Sequence, residues 1–230
     1  MIEKVRELVY EIFKNDSSGH GIEHMDRVLF LALKFSEEEG ANKLVVALAA
    51  LLHDVDDYKM VGIENAPKLT NTRRILNEAG VDLETQKQVL EIVKTIGYSI
   101  VLKGIRPNTI EGMVVSDADM CDAMGASGII RSHSYNIKKG TPFFNKNIWP
   151  TENMTAEQYI EKPTTTSVCN AFEKLLRLKD YMMTNSGKKE ALKRHQVIVD
   201  FLYELFEEEN AHEWTEYLNN WLEEDKRKTK

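Results

Sequence analysis

Two short acidic segments stand out in the sequence because their carboxylates stand directly beside apolar residues. The first is LLHDVDD at Leu51–Asp57, and the second is VVSDADMCD at Val114–Asp122. Acids near helix ends are commonly solvated or cap the next helix. Partly buried acids behave differently, because two like charges about 4 Å apart repel by about 4 kcal/mol at an effective dielectric constant of about 20. A buried cluster needs protons, Lys or Arg partners or a metal ion, so both segments are candidates for a cation site.

Histidines near these acids extend the set of candidate ligands. His53 and Asp54 place an imidazole nitrogen and a carboxylate oxygen side by side at the end of a predicted helix, and this helix is too apolar to lie on a surface. His24 shares a predicted helical face with apolar residues four and seven positions later, so its ring is expected to point inward. An inward histidine is either a hydrogen-bonded core residue or a ligand.

Helical geometry also separates the acids of the second segment. Asp119 shares a predicted face with Val115 and Asp122, whereas Asp117 points nearly the opposite way. A set of imidazoles and carboxylates with open positions for water suits Mn, Fe, Co, Ni or Zn. The second segment is therefore a candidate source of carboxylates for such a set.

The elements that must position these residues are predicted to be helices throughout. Apolar residues recur with helical spacing in nearly every segment, and no convincing strand pattern or internal repeat occurs. The predicted helices cover about 2–14, a segment ending at Gly40, 43–53, 66–79, 83–97 entered through Asp82, 110–132 with a break, 166–184, 187–208 and 211–225. Residues 99–107 are expected to be irregular, and the proline-containing stretch 139–163 is expected to be a long surface excursion typical of lids. The pattern predicts one all-α domain over 1–230, ending in a charged, frayed tail at 223–230.

Charge and composition exclude several classes of function. The 230 residues carry 30 Lys and Arg against 37 Asp and Glu, a net charge of −7, which argues against general binding of nucleic-acid polymers or membrane surfaces. There is no apolar run of about 20 residues and no signal-peptide pattern at the start, so a cytoplasmic protein is expected. Two distant cysteines do not indicate a disulfide framework. A small anionic substrate is compatible with this balance if local cations or a metal attract it, and a homo-oligomer stays open.

Three motifs together resemble the HD-domain superfamily of metal-dependent phosphohydrolases. They are G-H-x-x-x-H-x-x-R-V at Gly19–Val28, L-L-H-D-V-x-D at Leu51–Asp57 and D-A-D-x-x-D-A-x-G-A at Asp117–Ala126. With the segment from Phe172 to His195, the arrangement is similar to bacterial HD phosphohydrolases that cleave nucleotides, including nucleoside-triphosphate pyrophosphohydrolases. The resemblance covers about residues 15–215 and implies a helical bundle around a divalent metal ion.

The resemblance assigns expected roles to individual residues. It implies metal ligation by His24, His53, Asp54 and Asp119, with Mn, Co, Mg, Fe, Ni or Zn as the ion. Asp57 matches an acidic position that assists the attacking water in some relatives. His20 matches the first histidine of the G-H pair and is expected to meet phosphate oxygens. Positive side chains must also hold the phosphates, and the further substrate-binding candidates are Arg131, Lys174, Lys179, Lys188 and Arg194.

The favoured function is therefore hydrolysis of a phosphoester or phosphoanhydride bond in a small phosphorylated substrate, with a nucleotide as the expected substrate. Release of pyrophosphate from a nucleoside triphosphate is one form of this reaction. Gly21 and Met120 depart from the pattern, since relatives often carry Asp and Arg at these positions. The departures keep an alternative open, which is a regulatory HD module that binds metal and nucleotide without turnover. A purely structural helical scaffold is a third class and predicts no metal.

Overall fold

A computed structural model of the chain describes residues 1–14, 21–151, 154–161 and 166–228. Within these ranges all regular structure is helical and no strand occurs, which confirms the all-α prediction. The helices are α1 (Ile2–Phe13), α2 (Ile22–Glu39), α3 (Lys43–Leu52), α4 (Tyr58–Val61), α5 (Thr70–Glu78), α6 (Leu83–Val93), α7 (Tyr98–Leu102), α8 (Ile110–Asp122), α9 (Gly125–Lys138), α10 (Ala156–Glu161), α11 (Ser167–Glu173), α12 (Asn185–Glu208) and α13 (His212–Lys228), with 3-10 segments at Ala66–Lys68 and Leu175–Tyr181. None of the described helices is both long and apolar enough to cross a lipid bilayer.

Helix α3 forms the centre of the core because its sequence, KLVVALAALL, is apolar on every side. All of its residues from Val45 to Leu52 are buried. The helix begins after Asn42, whose side chain accepts hydrogen bonds from the backbone N–H groups of Leu44 and Val45 at 3.0 and 3.4 Å. Helices α1, α2, α6 and α8 pack around it, and α2 also packs against α8. The C-terminal end of α3 is therefore held beside both α2 and α8.

Local signals predicted several helix boundaries correctly. Gly40 adopts the left-handed conformation that ends α2, with φ of 72°. Asp82 precedes α6 and its carboxylate accepts a hydrogen bond from the N–H of Thr85 at 3.0 Å. The expected break within 110–132 falls at Ala123 and Met124, between α8 and α9. This break ends the helix directly after the second acidic segment.

Other boundaries differ from the sequence-based expectation. The stretch predicted to be irregular at 99–107 contains most of the short helix α7. The single helix predicted over 166–184 is interrupted at Lys174, where φ is −136° and ψ is −62°, and continues as the 3-10 segment. Its three-residue repeat places Leu175 and Leu178, both buried, on one face. At the C-terminus α13 continues to Lys228, through most of the tail that was expected to fray.

The excursion at 139–163 is attached to the core more closely than a surface loop would be. Residues 152–153 and 162–163 of this stretch lie outside the described residues. Phe143 and Phe144 pack against the core, and the Trp149 ring stacks on that of Trp214 with ring centroids 4.4 Å apart. The excursion also contains α10, which packs against α7. These aromatic contacts and the packing of α10 against α7 attach the described parts of the excursion to the bundle.

Candidate metal centre and active-site cavity

The four predicted metal ligands converge on one point in the interior. The Nε2 atoms of His24 and His53 lie 3.2 Å apart. Oδ2 of Asp54 lies 3.5 Å from Nε2 of His24 and 3.6 Å from Nε2 of His53, and Oδ1 of Asp119 lies 3.6 Å from each of these nitrogens. Ligand atoms about 2.1 Å from one ion are separated from each other by about 3.0 to 3.4 Å. These five distances are therefore close to those of a metal coordination sphere, and the ligand atoms of His24, His53 and Asp119 all lie within 4.8 Å of one another.

Three elements bring the ligands together. His24 lies in the first turn of α2, His53 is the residue that ends α3, and Asp54 follows it in the next turn. Asp119 lies on α8, which packs against both of these helices. The predicted faces are confirmed, because His24 is buried and Asp119 points toward it.

Hydrogen bonds on the far side of each ring set the direction of the imidazole lone pairs. Nδ1 of His53 donates to the backbone carbonyl of Ala50 at 2.8 Å, and Nδ1 of His24 lies 2.7 Å from Oδ2 of Asp122. A neutral imidazole with its proton on Nδ1 carries a lone pair on Nε2. Both lone pairs then face each other and the two carboxylates. Metal-bound histidines have this arrangement, so the residues present fit a divalent ion.

The electrostatics of the cluster also favour a bound cation. Burial opposes a charge on His53, but the carboxylates of Asp54 and Asp119 outweigh it and raise the pKa of His53 to about 10. Burial opposes ionisation of Asp119, yet His53 and His24 hold the pKa of Asp119 below its usual range. The two acids therefore stabilise positive charge placed beside the imidazoles.

Asp122 is a supporting residue of the site whose role the sequence analysis did not identify. Its buried carboxylate contacts His24, Arg27 and Arg131. Burial opposes its ionisation, but hydrogen bonds from His24 and Arg27 hold the pKa of Asp122 well below its usual range. The available signal was its position three residues after Asp119, on the same face of α8.

A cavity of about 580 Å³ opens beside the cluster. His53, Asp54 and Asp119 form part of its wall, and Asp57, the predicted catalytic acid, lines it as well. Apolar and aromatic residues form much of the remaining lining, including Tyr98. A volume of this size accommodates a small organic ligand next to the cluster.

The predicted substrate-binding cations divide into two groups. Arg131 and Lys174 line the cavity. Lys94 and Lys103 line it too and were missed, because both lie outside the motif segments on which the sequence analysis relied. His20 lies outside the described residues.

The other three predicted cations are not among the described residues that line the cavity. Lys179 pairs with Asp180 at 2.6 Å and with Asp225 at 2.9 Å. Arg194 contacts Glu190 and the backbone carbonyl of Cys121, each at 2.8 Å. Lys188 lies exposed in the first turn of α12. Lys179 and Arg194 therefore have other partners, Lys188 is exposed away from the cavity lining, and we do not include these three residues in the proposed substrate site.

Two acids of the motif segments have structural partners instead. Asp56 accepts hydrogen bonds from the backbone N–H groups of Asn71 and Thr72 at 3.1 and 2.8 Å, in the first turn of α5. Asp117 accepts from the N–H groups of Met183 and Thr184 at 3.0 and 2.7 Å, where α12 begins. Each carboxylate thus stabilises the start of a helix that follows later in the chain.

Comparison with known proteins agrees with the motifs and the fold. The HD domain family matches residues 21–124, a range that contains all four proposed metal ligands. The uncharacterized protein YpgQ of Bacillus subtilis (strain 168) is 32% identical over 204 residues, covering 88% of this chain and 91% of YpgQ.

Solved structures of other HD-superfamily proteins and of similar bacterial proteins share the fold of this chain over about nine tenths of its length. A Lactobacillus plantarum protein superposes with a TM-score of 0.80 at 32% identity, covering 91% of this chain and 97% of that one. An HD-superfamily hydrolase from Bacillus thuringiensis gives 0.70 at 35% identity with the same coverages. The crystal structure of YpgQ in complex with ADP gives 0.69 at 27% identity, covering 90% and 97%. This chain is a member of the HD-domain superfamily.

Proposed function

We propose that this protein is a metal-dependent phosphohydrolase that cleaves a phosphoester or phosphoanhydride bond of a nucleotide. The observation that carries the proposal is a pair of imidazole nitrogens 3.2 Å apart, with two carboxylate oxygens 3.5 to 3.6 Å from them, at the wall of a cavity of about 580 Å³. A divalent ion held by His24, His53, Asp54 and Asp119 would supply a Lewis acid that activates water and offsets phosphate charge.

Asp57 is the proposed proton acceptor for the attacking water. Its backbone N–H donates to the carbonyl of Asp54 at 3.1 Å, so the two acids belong to one tight turn. Asp54 faces the imidazole pair, and Asp57 lines the same cavity. A carboxylate beside a water molecule removes its proton as the oxygen attacks phosphorus. This turn supports the assignment, because it keeps the proposed ligand and the proposed general base close together.

Two cations on the cavity wall are proposed to bind the phosphates. Arg131 presents a guanidinium group, which matches the geometry of phosphate oxygens. Lys174 lies over two aromatic rings, with Nζ 5.2 Å from the ring centre of Tyr98 and 5.9 Å from that of Tyr159. These contacts hold the ammonium group of Lys174 at the cavity while leaving its N–H donors for an anion.

Aromatic residues beside these cations favour a nucleotide over a simple phosphate ester. Tyr98 and Tyr159 both line the cavity, and their rings meet edge to face with centres 5.1 Å apart. Aromatic rings bind nucleobases by stacking, so the same cavity offers sites for phosphate and for a base. YpgQ, the relative crystallised with ADP, supports this assignment.

A panel of nucleotides tests the proposal directly. Metal-free protein is reloaded with Mn²⁺, Co²⁺ or Mg²⁺ and incubated with nucleoside mono-, di- and triphosphates, and orthophosphate and pyrophosphate are quantified separately. We expect metal-dependent hydrolysis that is lost in His53→Ala protein. Pyrophosphate as the product identifies a nucleoside-triphosphate pyrophosphohydrolase, and orthophosphate excludes that form of the reaction. Nucleotide binding without turnover by fully metal-loaded protein would overturn the proposal in favour of the regulatory module.

A further inference from the structure

The carboxylate of Asp122 connects the metal centre to the cavity wall. Asp122 is fully buried. Its Oδ2 atom lies 2.7 Å from Nδ1 of His24 and 2.7 Å from Nη1 of Arg131. Arg27 reaches both oxygens, with Nε 2.7 Å from Oδ1 and Nη2 3.1 Å from Oδ2. One buried side chain thus contacts a metal ligand and a cation that lines the substrate cavity.

Only an ionised carboxylate can accept all of these hydrogen bonds, since it offers two oxygens and no donor. An amide at position 122 would direct an N–H group toward at least one of the donors. If its oxygen faced His24 and Arg131, its NH₂ group would meet Nε of Arg27. The opposite orientation would place NH₂ against His24. The chemistry of this position therefore requires an acid rather than any polar residue of similar shape.

We propose that Asp122 is a positioning residue with two roles. First, it holds the proton of His24 on Nδ1, so that the Nε2 lone pair faces the metal site. Second, it holds Arg131 in the orientation that binds a phosphate group of the substrate. The second role rests on the proposed function, whereas the first depends only on the metal site.

Arg27 provides a matched control for Arg131 because both guanidinium groups contact the same carboxylate. Arg131 lines the cavity and its side chain is 17% exposed. The Arg27 side chain is 38% exposed, and Arg27 is not among the described residues that line the cavity. Removing either arginine takes one cation from Asp122. Only removal of Arg131 takes a cation from the cavity.

The first role is tested by metal affinity rather than by activity. Calorimetric titration of metal-free protein with Mn²⁺ is expected to show binding about 10- to 100-fold weaker in Asp122→Asn than in the wild type. Thermal melting of the metal-free proteins identifies a temperature at which both are folded. Wild-type affinity in a folded Asp122→Asn protein would overturn this role.

A measurement on the wild type decides the same point even if Asp122→Asn does not fold. Long-range ¹H–¹⁵N correlation spectra of the metal-free protein, in which no ion fixes the tautomer, identify which nitrogen of each histidine carries the proton. The signal of His24 is assigned by its loss in His24→Gln protein. A proton on Nδ1 of His24 is expected, and a proton on Nε2 would contradict the proposal.

The second role is tested by comparing Arg131→Gln with Arg27→Gln. We expect KM for the hydrolysed nucleotide to rise about tenfold or more in Arg131→Gln and to stay near the wild-type value in Arg27→Gln. An equal rise of KM in both variants would show that Arg131 acts only through Asp122. If the wild type itself hydrolyses no nucleotide, the proposed function fails, and the metal titration still decides the first role.

Discussion

In each of the two acidic segments, one carboxylate faces the imidazole pair and another, two residues away, caps a later helix. Asp54 and Asp119 lie within 3.6 Å of Nε2 of His53. Asp56 and Asp117 instead accept hydrogen bonds from backbone N–H groups and a threonine hydroxyl where α5 and α12 begin. Chemically identical side chains therefore have different roles within a few residues of each other.

The difference lies in the atoms that each carboxylate meets. Backbone N–H groups at the start of a helix donate hydrogen bonds and carry partial positive charge, so they stabilise a buried anion without an added ion. When Nδ1 of an imidazole carries the proton, its Nε2 atom presents a lone pair. A lone pair does not stabilise a nearby anion. The helix-capping acids find their positive partners within the folded backbone, whereas Asp54 and Asp119 need a positive charge at the imidazoles, either a proton on His53 or a metal ion.

Substitution of a cluster acid is expected to have the largest effect on function. In Asp54→Asn, loss of an anionic ligand should abolish tight Mn²⁺ binding, and kcat/KM should fall by about a thousandfold or more. The melting temperature of the metal-free protein should fall, because the substitution removes one of the two carboxylates that stabilise a charged His53. Calorimetry, nucleotide assays and thermal melting of metal-free protein measure these three quantities. Unchanged metal affinity would remove Asp54 from the ligand set.

Substitution of Asp57 distinguishes a role in proton transfer from a role in metal binding. If Asp57 accepts the proton of the attacking water, Asp57→Asn should lower kcat by about a hundredfold or more while Mn²⁺ affinity stays near the wild-type value. Steady-state kinetics at saturating metal and a Mn²⁺ titration of the same preparation measure the two effects. A parallel loss of metal and activity would identify Asp57 as a ligand or a structural residue instead.

Helical periodicity predicted which side chains of the cluster point inward, whereas their role as metal ligands was implied by the resemblance to the HD-domain superfamily and stays a prediction. His24 and Asp119 were expected to point inward because each shares a face with apolar residues, and His53-Asp54 because it ends an apolar helix. All of these are local properties of one element. The convergence of the three elements then follows from the packing of α2, α3 and α8 around one core.

The lysines show why the substrate site was less predictable. Lys174 and Lys179 lie five residues apart in a stretch predicted to be one helix, and both were candidates for phosphate binding. The chain turns at Lys174, whose side chain reaches the cavity, while Lys179 pairs with Asp225, which lies far along the chain on α13. The identity of such a long-range partner leaves no periodic signal in the local sequence. The sequence around a lysine therefore does not show whether its side chain binds substrate or forms a salt bridge.

Substitution of a helix-capping acid should have the smallest effect on metal binding and catalysis but should clearly lower the melting temperature. Asp117→Asn places an amide against the N–H groups of Met183 and Thr184, which should lower the free energy of unfolding by about 1 to 3 kcal/mol. The melting temperature falls by about 2 to 4 °C for each kcal/mol in a protein of this size. Mn²⁺ affinity and kcat of the folded protein should stay at wild-type values, since Asp117 faces away from the imidazoles.

Gly187 offers an independent check of this capping contact. A Cβ atom at position 187 would lie 2.3 Å from Oδ2 of Asp117, so Gly187→Ala must displace the carboxylate from the start of α12. We expect the same loss of thermal stability with unchanged metal affinity, measured by melting and Mn²⁺ titration. If either variant instead loses Mn²⁺ while its melting temperature is unchanged, Asp117 belongs to the metal centre. The division between capping acids and metal-binding acids would then be wrong for the second segment.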